Sequence, residues 1–419
     1  MQFRNRRLRL RDALPLLLPL VGLLIVVLLL RGNQSQPSAA EQRAVWQTYQ
    51  RIVSAAFAEA DSATRELNQA VRALIRQPSE TTLTAAQSAW ITAKALYSQA
   101  ELGFYGDPLM NNWIEQVSGW PVSTSVLDYI VVGLAGPNGT VPTEMDSIDT
   151  EMRAAAREQH NNNQIDIAKL RESGRDAGYR ISGFPAVEYL LWGGNSRELD
   201  VSDRSWTDFA VGSDCMNGND QLAPAHLCQH RRELLQSAAA LLVSDLNAMS
   251  GQAWSIDDAT SQSEPGLHTL LSKLHAATTQ LAHTQLRQPL RSHDPASAQD
   301  RFSNNTHNTL YYSNLGIDSI YHGRLIVAPD QQISGPSVSS LLAEHDPKLS
   351  AQLEVAFVNS HAALAAIRDA AEQRRQTFSR LIAPGNDEGS GLISKAIDAL
   401  ESQAVLLERV AHRFELEIQ

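Results

Sequence analysis

Cysteine is almost missing from this chain of 419 residues: only Cys215 and Cys228 occur. That excludes a scaffold stapled by many disulfides. Aromatic residues make up 6% of the chain, and strand formers are thin outside the first 30 positions. With sheets disfavoured, the expectation turns to helices. The common catalytic signatures are missing as well. There is no HExxH zinc pair, no GxSxG elbow, no Walker loop and no GxGxxG dinucleotide turn. No sequence repeat of 20–50 residues is found, which argues against a solenoid.

One long apolar run is present. Arg4, Arg6, Arg7, Arg9 and Arg11 precede an uncharged stretch from Ala13 to Leu30. It is longer than an ordinary signal-peptide core and close to the lower limit for a membrane span. The arginines hold the N-terminus in the cytoplasm, so the body of the chain is expected to be exported. The expected location is periplasmic. Residues 13–30 either anchor the chain in the inner membrane or are removed by cleavage near Ala40, where Ser38, Ala39 and Ala40 offer small residues. No cysteine lies near the run, which disfavours a lipoprotein.

Residues 1–40 carry six arginines and one aspartate, which leaves the remainder at −16 against −11 for the whole chain. A body this acidic is a poor nucleic-acid binder. Its contact with the membrane is expected through the N-terminal segment alone.

Cys215 and Cys228 flank CMNGNDQLAPAHLC, a loop with Gly, Asn and Pro. In an oxidising compartment a disulfide closing it is the default reading. The other reading is a metal site of Cys215, His226, Cys228 and His230, whose spacing fits no standard zinc pattern.

Helical periodicity begins directly after residue 40. Val45, Ile52, Val53, Phe57, Leu67, Val71, Leu74 and Ile75 recur at three- and four-residue steps, and Pro78-Ser79 ends the helix. A second helix is expected over 81–105, with Leu83, Trp90, Leu96 and Tyr97 inward. Residues 106–150 read as irregular, and 193–228 as a second long loop. Helices follow over 231–249, 267 to about 290, 338–381 (interrupted at Pro347) and 392–419. The resulting expectation is an all-α fold of two tandem helical-bundle halves, 41–255 and 256–419, behind a signal or anchor segment at 1–40.

Three segments combine polar groups with loop context. The first is Gly119–Tyr129, with Trp120, Pro121 and Asp128. The second, Gly183–Gly193, reads GFPAVEYLLWG, and the carboxylate Glu188 sits among apolar residues. A charge buried there needs a partner, such as an arginine or a metal, or must turn back to water. The third runs from Arg301 to Tyr321 and includes Ser303, Asn305, Thr306 and His307. Read together, they converge on a cleft between the two halves, with Trp120, Asp128, Glu188, Ser303 and Asn305 as candidate ligand-binding residues. Trp113, Trp192 and Tyr129 are further candidates for its walls.

These segments together resemble the imelysin family of bacterial exported proteins. GWPVSTSVLDYI is similar to that family's GWP…DY segment, GFPAVEYLLWG to its GxHxxE segment, and RFSNNTHNTLYYSNLGIDSIYHG to its RFSDNT segment. AWITAKALYSQAELGFYGDP at 89–108 and the paired cysteines fit as well, so the resemblance runs from about residue 41 to the C-terminus. It implies an all-α fold with a cleft between two helical halves and a link to iron uptake. Iron or another divalent cation would be the cofactor, and membrane proteins of iron uptake would be partners. A peptidase label also attaches to the family. In the motif, the His and Glu are the proposed metal ligands.

This chain departs from the motif at its key position. Pro185 stands where the histidine should be, and Asn304 replaces the usual Asp of the third segment. Proline offers no ligand atom but suits the first turn of a helix. Only Glu188 carries over as a metal ligand. A scaffold, or a module binding an organic or protein ligand, is the alternative expectation, and a metallopeptidase is the weaker one.

Overall fold

The computed structural model describes residues 36–105, 108–132, 148–161, 165–194, 204–217, 221–222, 225–250, 266–328 and 330–418. The segment expected to direct export, up to residue 35, lies outside them. Among the described residues no helix is long and apolar enough to cross a membrane. The fold is all-α, with two short antiparallel ribbons, Met216–Asn217 with Gln221–Leu222 and Arg324–Ala328 with Gln331–Ser334.

The first helix, α1, spans Ala39–Arg76. Ser38 caps it: its hydroxyl accepts from the Glu41 N–H, and the Glu41 carboxylate reaches back to the Ser38 N–H, which satisfies two orphan donors. The eight apolar positions picked out by periodicity are all buried. After a turn at Pro78, α2 (Glu80–Ala100) starts on a second capping box, Ser79 with Thr82, and packs along α1. Leu83, Trp90 and Tyr97 point into the core, whereas Leu96 is half-buried. A 3-10 turn, Glu101–Phe104, follows.

Residues 106–150 contain two helices where the sequence suggested irregular chain: α3, Pro108–Ser118, and α4, Thr124–Val132. Each is short, and the Gly119 and Pro121 between them mask the pattern. α3 is nonetheless anchored: Trp113 is buried and its indole N–H donates to the Asp245 carbonyl at 2.9 Å. Two further short helices, α5 (Thr150–Asn161) and α6 (Ile167–Ser173), lead to α7, Gly183–Trp192, which is buried on every side. A helix apolar all round belongs in an interior, and α7 is enclosed by α2, α3, α4 and α8 (Ala225–Ser250).

Cys215 and Cys228 form a disulfide between the first ribbon and the first turn of α8, so they supply no metal ligand. Closing a loop of this length stabilises a fold by about 3 kcal/mol. We expect the Cys215→Ser/Cys228→Ser variant to lose about that much in urea unfolding, and dithiothreitol to produce the same loss in the wild type.

The second half begins with α9, Leu267–Gln280, which runs without a break through a π-helical stretch, Leu281–Arg287, into α10, Gln288–Ser292. Then come α11 (Thr306–His322), α12 (Val338–His345), α13 (Pro347–Arg374), α14 (Phe378–Leu381) and α15 (Asp387–Arg413). α13 packs on α15, and α15 on α9 and the π stretch. The halves share one core, because α11 packs on α2. A Cβ on Gly316 would sit 2.2 Å from the Gln99 carbonyl oxygen, so glycine is what lets these two helices approach so closely.

Candidate functional site

The second motif segment folds around its first glycine. Gly183 opens α7 with φ +79°, and a Cβ there would lie 2.3 Å from the Val117 carbonyl oxygen. Only glycine meets both demands. Pro185 is the third residue of α7, within the first turn, where a missing N–H breaks no intrahelical bond. The turn is therefore kept without the histidine. Trp90 fixes the segment by donating to the Phe184 carbonyl at 3.0 Å.

Glu188, one turn on, is fully buried. Its Oε1 accepts from the Ser303 N–H at 2.8 Å and from the Ser303 hydroxyl at 2.7 Å. Its Oε2 is buried without a hydrogen-bond partner among the described residues. Burial, and then the negative charge of Asp300, push the carboxyl pKa up to about 8, against the pull of Ser303 and Lys94. A protonated carboxyl is the form this surrounding favours near neutral pH.

A buried cation of the site is Lys94. It is 1% exposed and sits on the inward face of α2, between Trp90 and Tyr97. Its Nζ donates to Ser98 at 3.1 Å and lies 3.5 Å from Asp300 Oδ2. Asp300, equally buried, also accepts from the Thr309 hydroxyl. Glu101 completes the cluster: it accepts from the Ser118 hydroxyl at 2.9 Å, and Tyr97 donates to Ser118 at 3.2 Å. Burial raises the Glu101 pKa, and the Lys94 charge opposes that rise.

The third segment supplies a tight turn. Asp300 and Asn304 both adopt left-handed backbone, with φ of 50° and 56°, a conformation Asn and Asp tolerate better than most residues. Asn305 caps α11 from a buried position, its N–H donating to the Asp300 carbonyl at 2.9 Å and its Oδ1 accepting from Asn308 at 2.9 Å.

Asp128 joins a neighbouring network. Tyr189 donates to its carboxylate at 2.6 Å and 2.7 Å. Burial raises the Asp128 pKa, while Tyr189, Arg204 and Arg231 oppose it. The aromatic side chains tie the three segments together. Phe302 packs against Trp120 at 5.8 Å and Tyr189 at 5.1 Å, and the Trp120 indole N–H donates to the Ala296 carbonyl at 3.1 Å. The structure thus brings Trp120, Glu188 and Ser303 together and links Asp128 to them through Tyr189.

A cleft of about 900 Å³ opens beside this cluster, between the Gly119–Trp120–Pro121 turn and the π-helical stretch of the second half. Glu101 and Ser118 line it, so the buried cluster and the cleft share a wall. Trp120 lines the cleft, but Trp113, Trp192 and Tyr129 are buried in the core. Lys94, Glu101 and Asp300 were not singled out by sequence. The 90–94–97 spacing, which sets a lysine between two core aromatics, was the available signal.

The donor set at the motif does not fit a cation. Pro185 offers no ligand atom, Glu188 has one oxygen engaged by Ser303, and Lys94 already brings a positive charge. Among the described residues, the trio of His, Asp, Glu or Cys with donor atoms within 4.8 Å of one another is Glu41, Glu344 and His345, where α1 starts and α12 ends.

One consequence is a pH dependence. The Glu188 pKa rises on folding, so its contribution is complete below the unfolded value of 4.5 and is lost as pH climbs through about 8. We expect stability to fall by up to about 1.4 kcal/mol per pH unit across that window, and this component to vanish in Glu188→Gln. Urea midpoints at pH 5, 6, 7 and 8 measure it.

A family model described as Imelysin matches residues 53–407. No curated protein matches the chain. Among solved structures, an iron-regulated protein A precursor from Parabacteroides distasonis superposes with TM-score 0.63 at 14% identity, over 91% of this chain and 96% of that one. An imelysin-like protein from Psychrobacter arcticum gives TM-score 0.55 at 12% identity, over 92% and 99%. At these identities the two structures speak to fold alone.

Proposed function

This chain belongs to the imelysin family, and from that premise we propose that it is an exported binding protein that takes a small ligand in the cleft between its two halves. We place its work in iron acquisition, a setting suggested by the iron-regulated name of the Parabacteroides distasonis protein. The observation that carries the binding reading is the cleft of about 900 Å³ set against a buried charged cluster. Pockets of this size, walled by residues on rigid helices, are typical of small-molecule sites.

The motif residues hold the wall of that cleft rather than a metal. Lys94 supplies the positive charge, Asp300 balances it, and Glu188 fastens α7 to the 300–305 turn through Ser303. Peptide hydrolysis calls for a metal-activated water or an activated nucleophile, which this arrangement does not assemble.

Native mass spectrometry tests the reading. The protein from Gln36 onward is incubated with a bacterial metabolite extract and desalted. A bound mass should be retained by the wild type and absent from Ala276→Trp, which places an indole in the cleft. Equal retention by both proteins, or by neither, contradicts the proposal.

A further inference from the structure

The cleft is lined by an unusual concentration of side-chain amides. Asn111 comes from α3, Gln280 from α9, Gln285 from the π-helical stretch, Gln288 from α10, and Gln299 from the segment before α11. None of these five amides makes a side-chain hydrogen bond among the described residues. For four of them, partly or fully exposed, water suffices. Gln285 is only 8% exposed and lines the cleft. A ligand that pairs with such a largely enclosed amide replaces the water it would otherwise bind.

The charges of the wall narrow the ligand. Glu101, Glu115 and Asp294 line the cleft, and among the described residues no lysine, arginine or histidine does. Glu115 is compensated by Arg180 at 2.7 Å. Lys94 acts on Glu101 and Arg301 on Asp294, and the described lining itself presents no cation to pair with a phosphate or a carboxylate. Each primary amide offers two donors and two acceptor lone pairs in one plane. Such groups match vicinal hydroxyls, each of which donates and accepts, better than they match a point charge. Trp120 adds a flat apolar surface whose orientation is fixed by its bond to Ala296.

The geometry points to a neutral, polyhydroxylated ligand, an oligosaccharide, bound by the five amides over Trp120. This inference rests on the cleft-binding reading above and gives that ligand its chemical class.

A printed array of neutral and anionic glycans, probed with fluorescently labelled protein, tests it, followed by calorimetry with the strongest neutral glycan. Neutral glycans should bind, at least tenfold more weakly to Gln285→Leu and to Trp120→Ala, and not to Ala276→Trp. Circular dichroism melts establish that each variant is folded. Binding confined to anionic glycans, an absence of binding to neutral ones, or neutral binding untouched by all three substitutions overturns the inference. If spermidine or citrate binds instead and Ala276→Trp removes it, the oligosaccharide falls while the cleft reading stands. If the extract and the array both give nothing, the two fall together.

Discussion

Replacing Lys94 with methionine is expected to cost about 3–5 kcal/mol of folding stability at pH 7. The ammonium is 1% exposed and lies 3.5 Å from Asp300. Methionine fills similar space but leaves a buried carboxylate that accepts from the Thr309 hydroxyl and has lost its neighbouring ammonium. An uncompensated charge in an interior is what makes breaking such pairs expensive, even where the pair itself adds little. Glu188 and Glu101 also lose the charge that opposes their rise in pKa. Two further results identify the mechanism. The loss should be smaller at pH 4 than at pH 7, because acid removes negative charge from the cluster. Adding Asp300→Asn to Lys94→Met should recover part of the loss, giving a coupling of at least about 1 kcal/mol in a double-mutant cycle. Equal losses at pH 4 and pH 7 would assign the effect to packing instead.

The second large effect is expected at Gly183. Alanine there must hold φ near +79°, which costs about 1–2 kcal/mol. Its Cβ would also meet the Val117 carbonyl oxygen at 2.3 Å and the Gln116 carbonyl oxygen at 2.6 Å. These are main-chain atoms and cannot swing aside, so overpacking adds about 1–3 kcal/mol. Gly178 provides the control. Its φ is +73°, yet a Cβ there meets nothing within 4 Å. Gly178→Ala should therefore cost only the backbone component, and Gly183→Ala about 2–3 times as much. Because Gly183 begins the helix that carries Glu188, its replacement should also disturb the Glu188–Ser303 bond and reduce ligand retention. Urea midpoints for the two variants decide the matter, and similar losses would refute the account of α7.

The long helices were legible because their signals are local. The spacing from Val45 to Ile75 and the stop at Pro78 depend on neighbours within one or two turns, and α1 follows them to within a residue. α3 and α4 were not legible, since 11 and 9 residues bracketed by Gly and Pro leave little periodicity to detect. The family resemblance rests on segments far apart in sequence, and the fold brings three of them together at Phe302. What sequence could not supply was the partner of Glu188. Ser303 is 115 residues away, and a hydroxyl and an amide N–H leave no compositional mark. The cleft amides were hidden for a related reason. Glutamine on a helix reads as solvated surface, and only the cleft between α3 and α9 with its π stretch shows where Gln280 and Gln285 face.

Calorimetric titration with Fe²⁺, Fe³⁺, Cu²⁺ and Zn²⁺ tests most directly whether Lys94 is the cation of this centre. It should be run on the wild type and on Glu188→Gln, with Glu41→Gln to account for the separate Glu41–Glu344–His345 trio. The account predicts that any heat of binding at micromolar metal is unchanged in Glu188→Gln. A stoichiometric metal site present in the wild type, kept in Glu41→Gln and lost in Glu188→Gln, would contradict it.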